Sequence, residues 1–342
     1  MLYMILLIAT FIIIISSLRI TQNYNDNYIS IETTKCEKGM AAILIVFHHI
    51  SQNIEINKYC MIMRYIGFIM VAVFFFCSGY GLAYGVEKKS NYLQNFFRKR
   101  ILSVLIPYWM IYTVMIIYDT CKGKYFTPIE YILSFIGGEQ VTGSWFVPSI
   151  LILYCIFWGV FTVIKNNYWC SVGLLVVAIV IYMFICSYMG LITSYTASVS
   201  AFVLGVVWIR IKDIVIPWIR KNYFVKLILI SLIFGIVFSG RLLLALKGFD
   251  NEIVHVVLRN LASAFFIMWL IVITQKVRFK GYVLPWLGEI SYELYLVHGV
   301  LVVILSRDNP YLYIVRVLLG GIIGGIILHK VSVWTKRFTL KA

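Results

Sequence analysis

Charged side chains are scarce in this sequence of 342 residues. Asp, Glu, Lys and Arg make up 13% of the chain and hydrophobic residues 62%, whereas soluble domains are about one quarter charged and about half apolar. The mean hydropathy is +0.92. No polar stretch is long enough to bury a hydrophobic core of its own. This composition excludes an ordinary soluble domain and predicts a polytopic membrane protein.

Several familiar motifs are also missing. The cysteines show no Cys-x-x-Cys spacing, so we expect no bound metal. The sequence does not decide whether Cys60 and Cys121 form a disulfide. Neither an internal repeat nor a matched pair of Gly/Pro-broken helices occurs, which argues against a secondary transporter without excluding one. The sequence GGIIGG at 320–325 follows no strand and precedes no Lys-Ser/Thr, so we interpret it as a helix-packing pattern.

The formal net charge of +16 does not indicate a nucleic-acid partner, because such a protein gathers its cations on one soluble face. Here the positively charged residues lie between the apolar segments. We therefore expect an all-α membrane bundle of about ten to eleven transmembrane helices. The apolar segments of near-spanning length are 2–17, 39–56, 66–85, 101–118, 144–164, 168–188, 192–209, 223–240, 254–274, 284–305 and 311–329.

The distribution of Lys and Arg predicts the orientation in the membrane. If the N-terminus is outside, the inner loops hold twenty-one of these residues, Lys341 among them, and the outer loops hold seven, including Arg241. Inner loops of membrane proteins carry the excess of positive charge. We therefore predict a multi-pass protein of the cell membrane, with its N-terminus outside and its C-terminus in the cytoplasm.

The first apolar segment is interpreted as a retained anchor. It has no basic start, and no convincing small-residue cleavage site precedes the polar run at 21–27, as a secretory signal would require. A cleaved peptide is the alternative. The predicted organisation is an anchor at 1–20 followed by one membrane domain at 30–342.

A histidine inside the second apolar segment is the most informative single residue. The segment 38–50 reads KGMAAILIVFHHI, and at about 1.5 Å of rise per residue His49 lies roughly 16 Å below Lys38, near the middle of a hydrocarbon core about 30 Å thick. Ionisable groups at that depth usually mark a function. The alternative is that His49 only packs and hydrogen-bonds a neighbouring helix. His48 points about 100° away and is expected to pack.

A late segment offers a second polar face. Ser291, Tyr295 and His298 fall at i, i+4 and i+7 of a predicted helix, while Glu293 lies on a neighbouring stripe with Glu289. Such a face can line a substrate cavity or hold helices together, and the spacing alone does not choose between them. His329, at the inner end of the last helix, is expected to have no catalytic part.

These patterns together resemble acyltransferase family 3, whose members O-acylate lipopolysaccharide, peptidoglycan, exopolysaccharides and other cell-surface glycans. The family begins with a basic residue, ten residues and then His, and Lys38 with His49 has this spacing, with Lys where Arg is commoner. Four later segments are similar, in the same order: VFFFCSGYGL at 73–82, FFRKRILSVLIPYW at 96–109, GSWFVPSILILY at 143–154 and LGEISYELYLVH at 287–298. Two departures are Ser103, where a second Arg is often found, and the extra first helix.

The resemblance implies an integral membrane O-acyltransferase that moves an acyl group from cytoplasmic acyl-CoA to a hydroxyl of a cell-surface carbohydrate or glycolipid, surrounded by membrane lipid. Acetyl-CoA is the expected donor, and succinyl and other acyl groups stay open. His49 would be the base or acyl-transfer residue, together with Lys38. Donor binding is assigned to the basic cluster of Arg98, Lys99 and Arg100. Substrate lining is assigned to a polar set: Ser78, Trp145, Glu293, Tyr295 and His298.

The chemistry can be stated without the family. Acyl transfer to a sugar hydroxyl requires a base for the hydroxyl proton and donors for the developing oxyanion, and a neutral imidazole suits the first task. The alternative function is a transporter or flippase for a glycan or lipid intermediate, in which the same His and Glu would relay protons. A purely structural subunit does not explain His49.

Overall fold

The structure is a computed structural model that describes residues 1–165, 167–191, 194–249 and 251–339. Lys341, the end of the predicted 30–342 domain and the start of the predicted 192–209 segment lie outside the described residues. The chain divides into two compact units. Unit 1 comprises Met1–His48, Ile56–Lys88 and Ile185–Glu289, and unit 2 comprises His49–Glu55, Lys89–Phe184 and Ile290–Ala342.

The described ranges contain thirteen α-helices and two short strands. In chain order these elements are α1 Leu2–Ser16, β1 Leu18–Ile20, α2 Ile31–Asn53, α3 Gly67–Lys88, α4 Leu102–Cys121, α5 Pro128–Phe135, α6 Phe146–Val163, α7 Tyr168–Tyr188, α8 Val199–Arg220, α9 Tyr223–Leu246, α10 Glu252–Thr274, β2 Val277–Phe279, α11 Val283–Glu289, α12 Ser291–Ile304 and α13 Pro310–Thr339. A 3₁₀ helix, Lys58–Tyr65, precedes α3, and a π-helical turn, Phe97–Ile101, precedes α4.

Long apolar helices dominate the fold. Among the described residues, seven helices are long and apolar enough to cross a membrane, or eight if the bent pair α11 and α12 is one span. Every apolar segment predicted from the sequence contains a helix, which confirms an all-α, polytopic membrane bundle. Four of those segments do not form a straight, fully apolar span: α1 is short, α2 and α8 carry several charged residues, and 284–305 is broken between α11 and α12.

The predicted continuous helix at 284–305 is instead bent by 73° at Ile290. In unit 1, α11 lies directly on α2, because the glycines at the contact leave no room for a Cβ. A Cβ on Gly39 would overlap the carbonyl of Leu284, and one on Gly288 would overlap the carbonyl of Lys35. The ion pair between Lys35 and Glu289, at 2.5 Å, reinforces the contact. α12 starts in a new direction and packs within unit 2 on α13.

The second helix starts earlier than the sequence predicts. α2 begins at Ile31, so Lys38 lies about two turns inside it and is not at its start. His49 lies about one turn from the end of α2, and its depth near the middle of the hydrocarbon core stays a prediction. The reason for the early start is local capping: the Ser30 hydroxyl accepts a hydrogen bond from the Thr33 backbone N–H at 3.2 Å, which lets the polar residues after it form the first turns.

Close glycine contacts organise unit 1. α3 and α8 pack against each other where a Cβ on Gly79 would overlap the carbonyl of Phe202 and one on Gly205 would overlap the carbonyl of Phe76. Small residues let membrane helices approach to backbone distance. The strands β1 and β2 pair antiparallel, with Arg19 opposite Arg278.

Arg241 was counted among the outer-loop cations, but it lies inside α9 and is buried. Its guanidinium carbon is 5.6 Å from the centre of the Tyr65 ring and 5.2 Å from that of Phe68. Such contacts with aromatic faces stabilise a desolvated cation. Removing Arg241 from the outer loops strengthens the predicted inner excess of positive charge.

Unit 2 is built around the contact between α12 and α13. A Cβ on Gly321 would lie 3.4 Å from the Cβ of His298, and one on Gly325 would lie 3.2 Å from the Cα of Leu294. This confirms that GGIIGG is a helix-packing pattern. The connection 119–143 contains α5, whose start is closed by a capping box between Thr127 and Glu130. All seven cysteines lie in the described ranges, and none forms a disulfide.

Candidate active site

His49 belongs to unit 2, where it meets a second histidine. The ring of His49 lies against that of His298 on α12, with the ring centres 5.3 Å apart and the planes inclined by 36°. Nδ1 of His49 is 3.1 Å from Oε1 of Gln52, one turn further along α2. An amide oxygen only accepts hydrogen bonds, so Nδ1 carries the proton of the neutral ring and Nε2 carries the lone pair. His49 therefore has the tautomer of a base acting through Nε2.

His298 is held in the same tautomer. Only 1% of its surface is exposed, and its Nδ1 donates to the backbone carbonyl of Leu294 at 2.9 Å. The Tyr295 ring lies edge-on to it at 5.6 Å between centres, and Phe146 contacts Tyr295 at 5.4 Å. The structure thus brings together His49, Tyr295 and His298. In the sequence these residues lie on two separate segments, and their spacing does not predict the contact.

Trp145 is connected to His49, Tyr295 and His298 through Phe146, the next residue in the chain. It directly precedes α6, and its ring centre is 6.3 Å from that of Phe146. Phe146 in turn contacts Tyr295. A cavity-shaping role for Trp145 stays a prediction.

Glu293 is engaged with α13. Its buried carboxylate accepts a hydrogen bond from the Ser332 hydroxyl at 3.0 Å and lies 3.3 Å from Nδ1 of His329. Ser332 and His329 are three residues apart and therefore lie on one face of α13. This cluster gives His329 a partner that its position in the sequence did not reveal. A substrate-lining role for Glu293 stays a prediction.

The basic cluster of Arg98, Lys99 and Arg100 forms the π-helical turn before α4, and its three members differ in their surroundings. Nε of Arg100 donates to the Tyr92 hydroxyl at 2.7 Å, and Nη2 of Arg98 donates to the carbonyl of Thr339 at 3.4 Å. Lys99 is exposed. Burial raises the pKa of the Tyr92 phenol, which keeps the hydroxyl neutral as a partner for Arg100. The cluster therefore offers one guanidinium oriented by a side chain, one that reaches a backbone carbonyl and one exposed ammonium.

Ser103 follows this cluster at the position where the family often has a second arginine. Its hydroxyl donates to the backbone carbonyl of Arg100 at 2.8 Å. The serine thus stabilises the start of α4 and supplies no charge of its own.

Lys38 and Ser78 belong to unit 1. Lys38 and its buried neighbour Glu37 lie within electrostatic range of Cys77 on α3, which directly precedes Ser78. The structure thus places Lys38 close to the helix that carries Ser78. Glu37 was missed in the sequence analysis, although a carboxylate beside a predicted catalytic lysine is a signal that the sequence does contain.

His48 is a packing residue, as the sequence analysis expects. Its Nδ1 is 2.8 Å from the backbone carbonyl of Met63. The ring lies so close to Gly67 that a Cβ there would overlap it. The adjacent histidines therefore have different surroundings, and His49 meets a second imidazole.

The comparisons with known proteins identify the family of the chain. A family model described as an acyltransferase domain, acyltransferase 3, matches residues 37–329. No curated protein and no solved structure matches the chain. The matched range begins one residue before Lys38, contains both histidines and covers most of the sequence. The chain therefore belongs to the acyltransferase 3 family and is a multi-pass membrane acyltransferase.

Proposed function

We propose that this acyltransferase moves an acyl group, acetyl in the first instance, from cytoplasmic acyl-CoA to a hydroxyl of a cell-surface carbohydrate or glycolipid. The observation that carries the proposal is the contact between Nδ1 of His49 and Oε1 of Gln52 at 3.1 Å. Gln52 holds the proton on Nδ1 and leaves Nε2 as the basic atom, which is what general-base activation of a hydroxyl requires.

In the proposed step one C–O bond forms, one C–S bond breaks and one proton passes through His49. Nε2 of His49 takes the proton of the acceptor hydroxyl while the hydroxyl oxygen attacks the thioester carbonyl and forms the new C–O bond. The C–S bond then breaks, and the thiolate of CoA takes the proton from the imidazolium and leaves as the thiol. General-base catalysis of this kind typically contributes about 10²- to 10⁴-fold. Roles for Lys38 and Ser78 in this reaction rest on the family resemblance alone.

Donor binding is assigned to the basic cluster. Coenzyme A carries several phosphate charges, and the planar fork of arginine binds phosphate at two points. Arg100 is already oriented by Tyr92, so less side-chain freedom is lost when an anion binds. The alternative is that the cluster only enforces orientation in the membrane.

The proposed orientation, with the N-terminus outside and the C-terminus in the cytoplasm, is supported within each unit. In unit 2, Arg98 contacts Thr339, and both belong to segments predicted to be cytoplasmic. In unit 1, Arg19 pairs with Arg278 across the two strands, and these segments are also predicted to be cytoplasmic. Within each unit, therefore, two segments assigned to the same side of the membrane are in contact.

A comparison of surface glycans tests the reaction class. Ester-linked acyl groups would be measured by mass spectrometry on glycans from the host, from a strain without the gene, and from that strain carrying either the wild-type gene or His49→Ala. The proposal expects an ester that is lost with the gene and restored only by the wild type. If all four glycans carried the same esters and the purified protein consumed no acyl-CoA, the substrate would be moved unchanged, as by a transporter.

A further inference from the structure

A cavity of about 310 Å³ opens beside the second half of α8 in unit 1. This volume lies in the range of small-molecule sites. One wall is formed by residues that recur at each turn of α8, namely Lys212, Asp213, Ile216 and Arg220, and another by the segment before α2, which contributes Tyr28. All of these residues belong to unit 1. None of them has a part in the proposed acyl transfer.

Arg220 and Asp26 neutralise each other at the edge of this cavity. Nη1 of Arg220 is 2.9 Å from Oδ1 of Asp26, and Nε of Arg220 donates to Oε1 of Gln275 at 3.0 Å. The Tyr24 ring supports the guanidinium from a further side, with its centre 5.0 Å from the guanidinium carbon. Partners within the chain thus hold this ion pair in place, and recognition of a ligand is left to other groups.

Lys212 and Asp213 are the charged groups of the cavity that stay available. Within the described ranges neither of them forms an ion pair. Nζ of Lys212 donates to the Tyr80 hydroxyl at 3.4 Å, which uses one of the three N–H groups of the ammonium. Adjacent side chains on a helix point about 100° apart. The cavity therefore presents one positive and one negative charge at separate positions.

Tyr28 adds an uncharged donor to the cavity. Its ring is buried, and its hydroxyl oxygen accepts a hydrogen bond from Nε1–H of Trp208 at 3.1 Å. Burial raises the pKa of the Tyr28 phenol to about 12, so the hydroxyl keeps its proton at neutral pH and can donate it. An ammonium and a phenol that line one cavity are donors suited to the oxygens of a phosphate.

The same half of α8 carries exposed apolar side chains next to the cavity. Ile214 and Trp218 are 76% and 59% exposed, and Nζ of Lys226 lies 3.9 Å from the centre of the Trp218 ring. Trp and Lys are typical of the membrane interface. Arg210 forms an ion pair with Glu87 near the end of α3, so the later residues of α8 extend beyond that helix. The cavity thus lies where a lipid headgroup can reach it.

We propose that this cavity binds the headgroup of a zwitterionic phospholipid with a primary amine, such as phosphatidylethanolamine. Lys212 and Tyr28 hold the phosphate, and Asp213 accepts hydrogen bonds from the ammonium. A purely anionic ligand would meet the carboxylates of Asp213 and Asp26, and a purely cationic ligand would meet Lys212 and Arg220. A ligand with one charge of each sign complements a cavity with one available charge of each sign.

Two neutralising substitutions separate the two halves of the headgroup. Lys212→Gln removes the cation that binds the phosphate, so the affinities for phosphatidylethanolamine and phosphatidylglycerol should both fall, by roughly five- to tenfold. Asp213→Asn removes the charge that binds the ammonium, so the affinity for phosphatidylethanolamine alone should fall, by a similar factor. Lys221→Gln and Glu32→Gln change the same kinds of charge outside the cavity in unit 1 and should bind both lipids as the wild type does.

Native mass spectrometry of the purified full-length protein in detergent counts the bound lipids as each lipid is titrated. Thermal unfolding reports whether each variant is folded. We expect the wild type to bind phosphatidylethanolamine more tightly than phosphatidylglycerol, which has no amine, and phosphatidylcholine, whose ammonium has no N–H to donate. Glycerophosphoethanolamine, the same headgroup without acyl chains, should compete weakly, because it gains nothing from the exposed apolar face of α8.

Equal affinities of the wild type for the three lipids would overturn the proposal, and so would unchanged affinities in folded Lys212→Gln and Asp213→Asn. Full competition by glycerophosphoethanolamine would overturn a lipid as the source of the headgroup. The comparison of lipids uses the wild type alone, so it decides the question even if a substitution impairs folding.

Discussion

The carboxylate of Glu293 on α12 lies 3.3 Å from Nδ1 of His329 and 3.0 Å from the hydroxyl of Ser332, both on α13. In this polar cluster of unit 2, Glu293 and Ser332 are buried and His329 is partly exposed. The cluster is close in sequence to His298. It joins the helix that carries the second histidine to the last long helix of the fold. The helix that carries His298 is thus held against α13 by a contact that combines small residues with one buried carboxylate.

Replacing this carboxylate tests its structural part. Glu293→Ala removes the carboxylate that accepts from Ser332 and lies beside His329, although Ser332 keeps its hydrogen bond to the backbone carbonyl of His329 at 3.0 Å. A hydrogen bond to a charged group contributes about 1.5–3 kcal/mol. We expect a lower midpoint of thermal unfolding in detergent. Glu293→Gln keeps an acceptor for Ser332 and should recover most of the loss. A raised KM for the acceptor at unchanged stability would instead favour the substrate-lining role.

Much of the fold follows from hydrophobic patterning, because a bilayer requires long apolar runs and makes them helical. Details that depend on polar capping were missed. The start of α2 depends on Ser30 and Thr33, and α5 depends on the capping box at Thr127, both inside segments that are too polar to be recognised as membrane helices.

The candidate site was predicted in part. Spacing and family resemblance indicated His49 and His298 separately, but periodicity describes one helix at a time and carries no information about which helices are neighbours. The contact between the two rings therefore required the structure. The contact between Gln52 and His49 could have been predicted from the sequence, since residues i and i+3 are neighbours on a helix.

Donor binding is tested at Arg100. Arg100→Ala removes the oriented guanidinium and should raise the KM for acetyl-CoA several-fold, while other inner cations keep the orientation. The defect should deepen as salt screens the remaining charges. Tyr92→Phe removes only the hydroxyl that orients Arg100, so a smaller rise is expected. Wild-type KM and turnover in both variants would assign the cluster to topology alone.

Orientation is tested by labelling single cysteines introduced into the connecting segments. Labelling with a membrane-impermeant reagent should find the positions near Lys122 and Lys247 outside. Those near Lys89, Arg220 and Arg278 should react only after the membrane is opened, because inner loops hold the excess of Lys and Arg. Reaction of the Lys89 segment in intact cells would overturn the arrangement.

The most direct test of the account compares two adjacent histidines. His49→Ala removes the base and should lower kcat for acetyl-CoA-dependent acyl transfer by about 10²- to 10⁴-fold, with normal insertion and accumulation. His48→Ala removes a ring that contacts Met63 and Gly67, so it should reduce stability far more than turnover. The account predicts that only the His49 variant loses activity when the amount of folded protein is matched. An active His49→Ala beside an inactive, folded His48→Ala would contradict it.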